Sequence, residues 1–194
     1  METKKLMITG FEPFDGQAIN PSWEAVALLP DTVGPWQLMK LRIPVEYENA
    51  PALILEKARA LQPNAIISVG QAGGRNAVTP EVIGIGLREA AIADNAGRFC
   101  RGERIDPDGP DGIFSTLPVR EMVEAIAAKG IPAKLSYSAG AYVCNDVLYS
   151  LLRHYSGSDV RVGFIHVPFI PGQGEPNMTL ENIVTALTAA IEIL

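Results

Sequence analysis

Short apolar runs of strand length alternate with segments of helical periodicity from one end of the chain to the other. The run 65–70 (AIISVG) is continuous and β-branched, which is typical of a central strand buried on both faces. This alternation predicts a three-layer α/β/α sandwich, in which a mostly parallel, twisted sheet carries helices on both faces. Strands are predicted at 6–9, 38–43, 65–70, 81–87, 133–138 and 160–167. Helices are predicted at 48–61, 118–129 and 180–194, with one more that begins at 20–21 and another that begins after residue 140.

Length, net charge and the first apolar run exclude several classes of protein. A chain of 194 residues suits one compact domain, 1–194. The net charge of -6, without clustered Lys and Arg, argues against nucleic acid as a partner. The first apolar run is too short for a signal peptide or a membrane span, so we expect a cytoplasmic protein without a membrane partner.

Two cysteines, Cys100 and Cys144, are present without C-x-x-C spacing. They predict free thiols in a reducing compartment rather than a disulfide framework or a zinc site. Arg98 and Arg101 flank Cys100, which favours a lowered pKa for that thiol. The surrounding stretch 94–112 is polar, rich in helix breakers and without periodicity, so it predicts a long functional or mobile loop.

Cys144 lies where a predicted strand gives way to a helix, and two interpretations are open. With Leu148 and Leu151 it extends an apolar stripe, as a buried structural cysteine would. At a helix start, however, unpaired amides and the helix dipole favour a thiolate and can stabilise an oxyanion. Such a start also lies at the carboxyl edge of a parallel sheet, where α/β folds bind ligands.

A thiol nucleophile needs a base, and the chain contains two histidines. His154 follows an arginine on the outer half of its helix and is predicted to be solvated. His166 is near the carboxyl end of the strand 160–167, the same edge as Cys144. Glu81 is the candidate to orient the imidazole, and Asp94 is the competing carboxylate.

Four ordered blocks of sequence match one known family. The chain resembles pyroglutamyl peptidase I, also called pyrrolidone-carboxylate peptidase, a family of cysteine peptidases, over nearly its whole length. The blocks are TGFEPFDG with NPSW (9–16 and 20–23), GQAGGR with TPE (70–75 and 79–81), AGAYVCN (139–145) and HVPF (166–169).

The resemblance implies roles for individual residues. Cys144 is the implied nucleophile, His166 the general base and acid, and Glu81 the residue that orients His166. Phe11 and Phe14 are implied as walls for the flat pyrrolidone ring, and Gln71 as part of the loop that binds the lactam amide. The implied reaction removes an N-terminal pyroglutamyl group from peptides through a thioester, with no metal or cofactor. A homo-oligomer, commonly a tetramer, is also implied. Phe99, Ile105, Ile113 and Phe114 of the long loop either serve its contact or fold back onto the domain.

The chain departs from the family where the family has a stretch like I-D-A-R-I-P-D-N. Residues 88–95 read REAAIADN here, so Ala91 replaces the arginine and Ala93 the proline. Arg88 is expected to point to the opposite face, and Arg75 is the residue within reach of the site. Two further readings stay open: a weakened homologue that binds pyroglutamyl groups, and a cysteine hydrolase of another small amide.

Overall fold

The computed structural model describes residues 3–194. Its elements alternate along the chain much as the apolar pattern predicts. In chain order they are β1 (Lys4–Phe11), α1 (Pro21–Leu28), β2 (Thr32–Val33), β3 (Trp36–Ile43), α2 (Asn49–Leu61), β4 (Ala65–Gln71), β5 (Thr79–Pro80), β6 (Ile83–Ile85), β7 (Leu87–Arg88), β8 (Glu103–Arg104), β9 (Gly112–Phe114), α3 (Val119–Ala128), α4 (Val143–His154), β10 (Arg161–Val167) and α5 (Leu180–Glu192).

The main sheet has six strands in the order β2-β3-β1-β4-β10-β5. The four central strands are parallel, and the short outer strands β2 and β5 run antiparallel to their neighbours. Parallel strands connected by helices end at the same edge of the sheet, so β1, β4 and β10 bring their carboxyl ends together.

Both faces of the sheet are covered, which confirms the predicted three-layer architecture. Alternate residues of β1 show the reason: Leu6 and Ile8 lie in the apolar core under α1, α3 and α5, whereas Met7 and Phe11 lie in the core under α2 and α4. Because a strand points successive side chains to opposite faces, an uninterrupted apolar run fits a strand buried on both sides.

The first helix begins as the sequence predicts. Asn20 accepts a hydrogen bond from the Ser22 amide, and Pro21 occupies the first turn, where no amide donor is needed. This cap also serves the site, because the Asn20 amide group donates to the Glu12 carbonyl and so ties the loop after β1 to the start of α1.

Two strand predictions were wrong in detail. The predicted strand 81–87 is divided between β6 and β7, which pair with β9 and β8 outside the main sheet. The break falls at Gly86, whose amide donates to the Asp111 carbonyl and whose carbonyl accepts from the Ile105 amide, so the chain changes its pairing partner there. Residues 133–138 form only isolated parallel bridges, at Ala133 and Ser136, rather than a regular strand.

The stretch 94–112 is mostly irregular, as expected, but it is attached at both ends. β8 pairs with β7, and β9 begins at Gly112 and pairs with β6. Phe99 and Phe114 are exposed, while Ile105 and Ile113 are half-buried. Two of the four apolar side chains therefore remain available to a partner, and two fold back onto the protein.

Candidate active site

A cavity of about 260 Å³ opens at the carboxyl edge of the sheet. Phe11 ends β1, Gln71 ends β4, His166 is the last residue but one of β10, and Cys144 is the second residue of α4. The topology thus brings four side chains from distant parts of the sequence to one cavity. Its lining residues are Phe11, Phe14, Asn20, Val45, Gln71, Ala72, Gly73, Arg75, Ala139, Gly140, Tyr142, Cys144 and His166.

Glu81 and His166 form a short, buried polar contact at this site. His166 Nδ1 lies 2.7 Å from Glu81 Oε1, and both side chains are buried. Glu81 is positioned by the main chain, because its amide donates to the Phe164 carbonyl of β10. An ionised Glu81 accepts the Nδ1 proton, which leaves Nε2 as the free nitrogen of the imidazole.

Asp94, the competing carboxylate, has a different task. Its two oxygens accept hydrogen bonds from the main-chain amides of Tyr47, Ala96 and Arg98. Asp94 therefore closes the turn at the start of the long loop, and the carboxylate beside His166 is Glu81.

The Cys144 thiol lies directly above the strand pair that carries His166. Gly70 is paired in register with His166, and a Cβ added to Gly70 would come within 3.0 Å of Cys144 Sγ and 2.7 Å of the Phe164 ring. A side chain at position 70 would therefore collide with the thiol and the ring. Glycine leaves the space in which the sulfur approaches the sheet next to the imidazole.

The pKa values correct one expectation from the sequence. Burial, followed by the negative charge of Glu81, raises the pKa of the Cys144 thiol to about 12 instead of lowering it. Burial also lowers the pKa of His166, although its hydrogen bond to Glu81 opposes that effect. Desolvation is the largest effect on both groups and favours their uncharged forms, a neutral thiol and a neutral imidazole.

Arg75 also donates to the oxygen of Glu81 that contacts His166. Its guanidinium donates to Glu81 Oε1 at 2.8 Å, and also to Thr79 Oγ1 and the Ser138 carbonyl. Burial opposes ionisation of Glu81, but the hydrogen bond and charge of His166, with Arg75 adding to them, lower its pKa overall. Arg75 thus acts on the site through Glu81, to which its guanidinium is committed.

The residues implied for the pyrrolidone ring all line the cavity. Phe11 is almost fully buried, whereas Phe14 is half-buried and packs 6.2 Å from Tyr142, centroid to centroid. Gln71 accepts a hydrogen bond from Gln173. Sequence reasoning missed Tyr142, whose hydroxyl donates to the Ala93 carbonyl; its place in AGAYVCN, two residues before the cysteine, was the available signal.

Comparison with known proteins identifies the family of this chain. The family model for pyroglutamyl peptidase matches residues 4–194. The pyrrolidone-carboxylate peptidase of Lactobacillus helveticus is 42% identical, with 97% of each chain covered. That of Staphylococcus aureus strain RF122 is 45% identical, covering 97% of this chain and 92% of the relative.

The chain belongs to the pyroglutamyl peptidase family.

Solved structures of pyroglutamyl peptidases share the fold. The structure of pyroglutamyl peptidase I from Bacillus amyloliquefaciens has a TM-score of 0.95 and 42% identity, covering 100% of this chain and 95% of the other. Pyrrolidone carboxyl peptidase from Thermococcus litoralis has a TM-score of 0.93 and 32% identity, covering 98% and 92%. The chain is therefore a peptidase of the pyroglutamyl-peptidase I type.

In this pyroglutamyl peptidase, the structure shows where Ala91, which replaces the family's arginine, and the nearby Arg88 lie. Ala91 is exposed, and it does not line the cavity. Arg88 is not part of the cavity lining and forms a buried ion pair with Asp146, although residues 89–92 are irregular rather than the strand from which its direction was predicted. His154 is exposed, as predicted.

Cys100 departs from its prediction. It is fully buried, and burial raises its pKa despite the lowering effect of Arg98. Both cysteines are free. Residues 3–194 contain no group of three or more His, Cys, Asp or Glu side chains arranged to hold a metal ion. Within the same residues, no helix has the length and hydropathy needed to cross a bilayer.

Proposed function

We propose that this peptidase releases N-terminal pyroglutamate from peptides with Cys144 as nucleophile, His166 as general base and acid, and Glu81 as the residue that orients His166. The observation that carries the proposal is the 2.7 Å contact between Glu81 Oε1 and His166 Nδ1. It commits Nδ1 to the carboxylate, so Nε2 is the nitrogen available to the thiol in the same cavity.

The proposed chemistry has two stages. His166 Nε2 takes the thiol proton as Sγ attacks the carbonyl carbon that links pyroglutamate to the next residue. The same proton then passes to the departing amine, the C–N bond breaks, and a thioester remains on Cys144. In the second stage His166 takes a proton from water, the hydroxide attacks the thioester, and pyroglutamate leaves as the thiol is restored.

The protonation states of Cys144 and His166 fit this order of steps. A thiol whose pKa is about 12 does not ionise alone near neutral pH, so its proton must move to His166 as the sulfur attacks. Glu81 stabilises the imidazolium that forms, because its carboxylate is ionised and in direct contact with the ring. The neutral imidazole of the resting state is the form that accepts the proton.

The cavity suits a small, flat, uncharged ring. Phe11 and Phe14 supply apolar walls, and Gln71 lies at the same opening with a polar amide. A lactam carries one donor and one acceptor, so apolar walls with few polar partners are enough to hold it. A free α-amino group, which is charged, would be penalised in such a cavity.

Turnover of a pyroglutamyl-coumarin amide by the purified protein is the deciding experiment. We expect release of coumarin, and Cys144→Ser is expected to reduce it by at least about a thousandfold while the protein stays folded. Binding without release would instead indicate a weakened homologue, and absence of both would indicate another small amide as substrate.

The orienting role is tested by Glu81→Gln, which keeps the shape of the side chain but removes its charge. We expect kcat to fall at least about tenfold with a smaller change in KM, since the charge matters most as imidazolium forms. Asp94→Asn is the matched control, because Asp94 bonds only to loop amides, and its kcat is expected to stay near that of the unmodified protein. An unchanged kcat in Glu81→Gln would contradict the assignment.

The assembly and compartment belong to the same proposal. We infer a homo-oligomer, up to a tetramer, with the exposed Phe99 and Phe114 as candidate contacts. The two free thiols support a reducing compartment such as the cytoplasm. Sedimentation of the protein and of Phe114→Glu tests the first inference, since a charge in an apolar contact would favour dissociation.

A further inference from the structure

Residues 133–138, here named the edge segment, lie beside the cavity and pair with the chain on one side. Ser136 donates its amide to the Pro80 carbonyl at 3.0 Å and accepts from the Val82 amide at 2.7 Å. Lys134 donates to the Val78 carbonyl in the same direction. The main-chain groups of residues 134 and 136 therefore point inward.

The main-chain groups of the alternate residues, Leu135 and Tyr137, point outward. Within residues 3–194, the main-chain amides and carbonyls of Leu135 and Tyr137 have no hydrogen-bond partner. The Tyr137 side chain is 63% exposed. An extended segment with one free row of donors and acceptors is a template on which another extended chain can pair.

The edge segment continues directly into the candidate active site. It borders a groove of about 390 Å³, to which Arg75 and Thr79 also contribute. Arg75 lines this groove and the cavity that holds Cys144 and His166. The chain itself connects the two, because Ser138 is followed by Ala139 and Gly140 of the cavity wall.

We propose that the peptide portion of the substrate, beyond the pyroglutamyl residue, binds as an added β-strand along the edge segment. This inference rests on the proposed function. The bond to be cleaved lies at the Cys144 end, near Ser138, so the peptide runs from there toward Lys134. That direction is opposite to the edge segment, and the added strand is therefore antiparallel to it.

The length of the edge segment sets the length of peptide it can hold. From Ser138 to Lys134 is four residue steps, or roughly 13 Å at about 3.3 Å per residue in an extended strand. Four residues after pyroglutamate would cover this distance. In an antiparallel pair, alternate residues of the added strand exchange hydrogen bonds with Leu135 and Tyr137.

The first test uses substrates rather than variants. kcat/KM is measured for pyroglutamyl-coumarin amide and for pyroglutamyl peptides with one to six further residues. We expect a rise that levels off at about four residues. In the longest peptide, single N-methylation of residues two to four after pyroglutamate is expected to reduce kcat/KM at alternate positions only, by about two- to tenfold per lost hydrogen bond.

The second test removes one outward donor of the protein. Leu135→Pro eliminates the Leu135 amide, while the inward donors on Lys134 and Ser136 are kept. We expect the ratio of kcat/KM for the long peptide to that for the coumarin amide to fall about two- to tenfold. Leu135→Ala, which retains the amide, is the matched control and is expected to keep the ratio.

The outcomes separate the two proposals. Turnover of the coumarin amide without dependence on peptide length, or with all methylated positions tolerated equally, overturns the added strand and leaves the proposed function standing. Failure to cleave the coumarin amide and every peptide overturns the proposed function, and this inference with it. If Leu135→Pro does not fold, the methylation series on the unmodified protein decides.

Discussion

At the scale of the residue, the buried Glu81 side chain combines two hydrogen bonds with an electrostatic effect on a third residue. Its Oε1 atom accepts from both His166 and Arg75, and its charge raises the pKa of Cys144. The carboxylate thus favours imidazolium and disfavours a free thiolate at the same time. A thiol–imidazole pair in this setting is a proton-transfer couple rather than a preformed ion pair.

The two cysteines are expected to react differently with iodoacetamide. Cys144 is half-buried in an open cavity, whereas Cys100 is fully buried. Labelling of Cys144 should therefore come first and should parallel the loss of activity. Cys100 should be labelled only after denaturant is added. Mass spectrometry of partly inactivated protein measures both, and inactivation by a label on Cys100 alone would argue against the assignment.

Ala91 marks the position at which this chain leaves its family's pattern. Because Ala91 is exposed, an arginine there can be accommodated without burying its charge. Ala91 lies outside the cavity lining, so an arginine there must reach in from the rim; if it supports charge near the reacting carbonyl, Ala91→Arg raises kcat/KM by on the order of tenfold, the value of about one charge-assisted hydrogen bond. Kinetics and thermal unfolding on the same preparation check this. Equal stability without a gain in rate would show that the arginine is dispensable here.

At the scale of the element, the first turn of α4 is held by a buried ion network. Arg88 of β7 donates through Nε to Asp146 Oδ1 at 2.9 Å, and Asp146 Oδ2 accepts from the Glu48 amide at 2.8 Å. Glu48 in turn pairs with Arg88. Asp146 is two residues after Cys144, so these bonds tie the helix that carries the thiol to β7 and to the start of α2.

Removal of Asp146 should therefore destabilise the protein. Asp146→Ala removes the buried partner of Arg88 and leaves only the exposed Glu48 carboxylate, so we expect a loss of about 3 kcal/mol in the free energy of unfolding. The double variant Arg88→Met, Asp146→Ala should recover part of that loss, since no unpaired charge remains. Urea unfolding measures both. Equal stability of the single and double variants would mean that the pair is not coupled.

At the scale of the whole molecule, two buried titratable groups make the stability of the fold decrease at acidic pH. Burial lowers the pKa of His166, and the pKa of Glu81 is also lowered overall. In both cases the unfolded chain binds the proton more readily than the folded one. The stability they contribute is present above the unfolded pKa values, about 6.5 for His and 4.3 for Glu, and is lost as the pH falls below them.

We expect the melting temperature to fall as the pH is lowered from about 6.5 toward 4. His166→Gln should reduce the dependence of the melting temperature on pH near about pH 6.5, because glutamine does not titrate. His154→Gln is the matched control: His154 is exposed, and its replacement is expected to leave the slope unchanged. Calorimetry of the three proteins across this range measures the effect. A slope that persists in His166→Gln would assign it to other groups.

The sequence alone determined the architecture and half of the site. Apolar runs buried on both faces require a covered sheet, and parallel strands end at one edge, so Cys144 and His166 were predicted at a common edge before any coordinates. Helix α1 was predicted to begin at Pro21 because its capping chemistry is local. These features depend on neighbours in the chain, which the sequence displays directly.

Only the tertiary structure decided between Glu81 and Asp94, because that choice depends on contacts between residues far apart in the chain. Only burial could reverse the expected pKa of Cys144, since a helix start favours the thiolate locally while desolvation by the whole fold opposes it. The predicted strand 81–87 was likewise divided by pairing with distant residues, because Gly86 bonds to the main chain of Asp111 and Ile105. Periodicity reports which side chains are apolar, whereas distance, desolvation and close packing arise only when the elements meet.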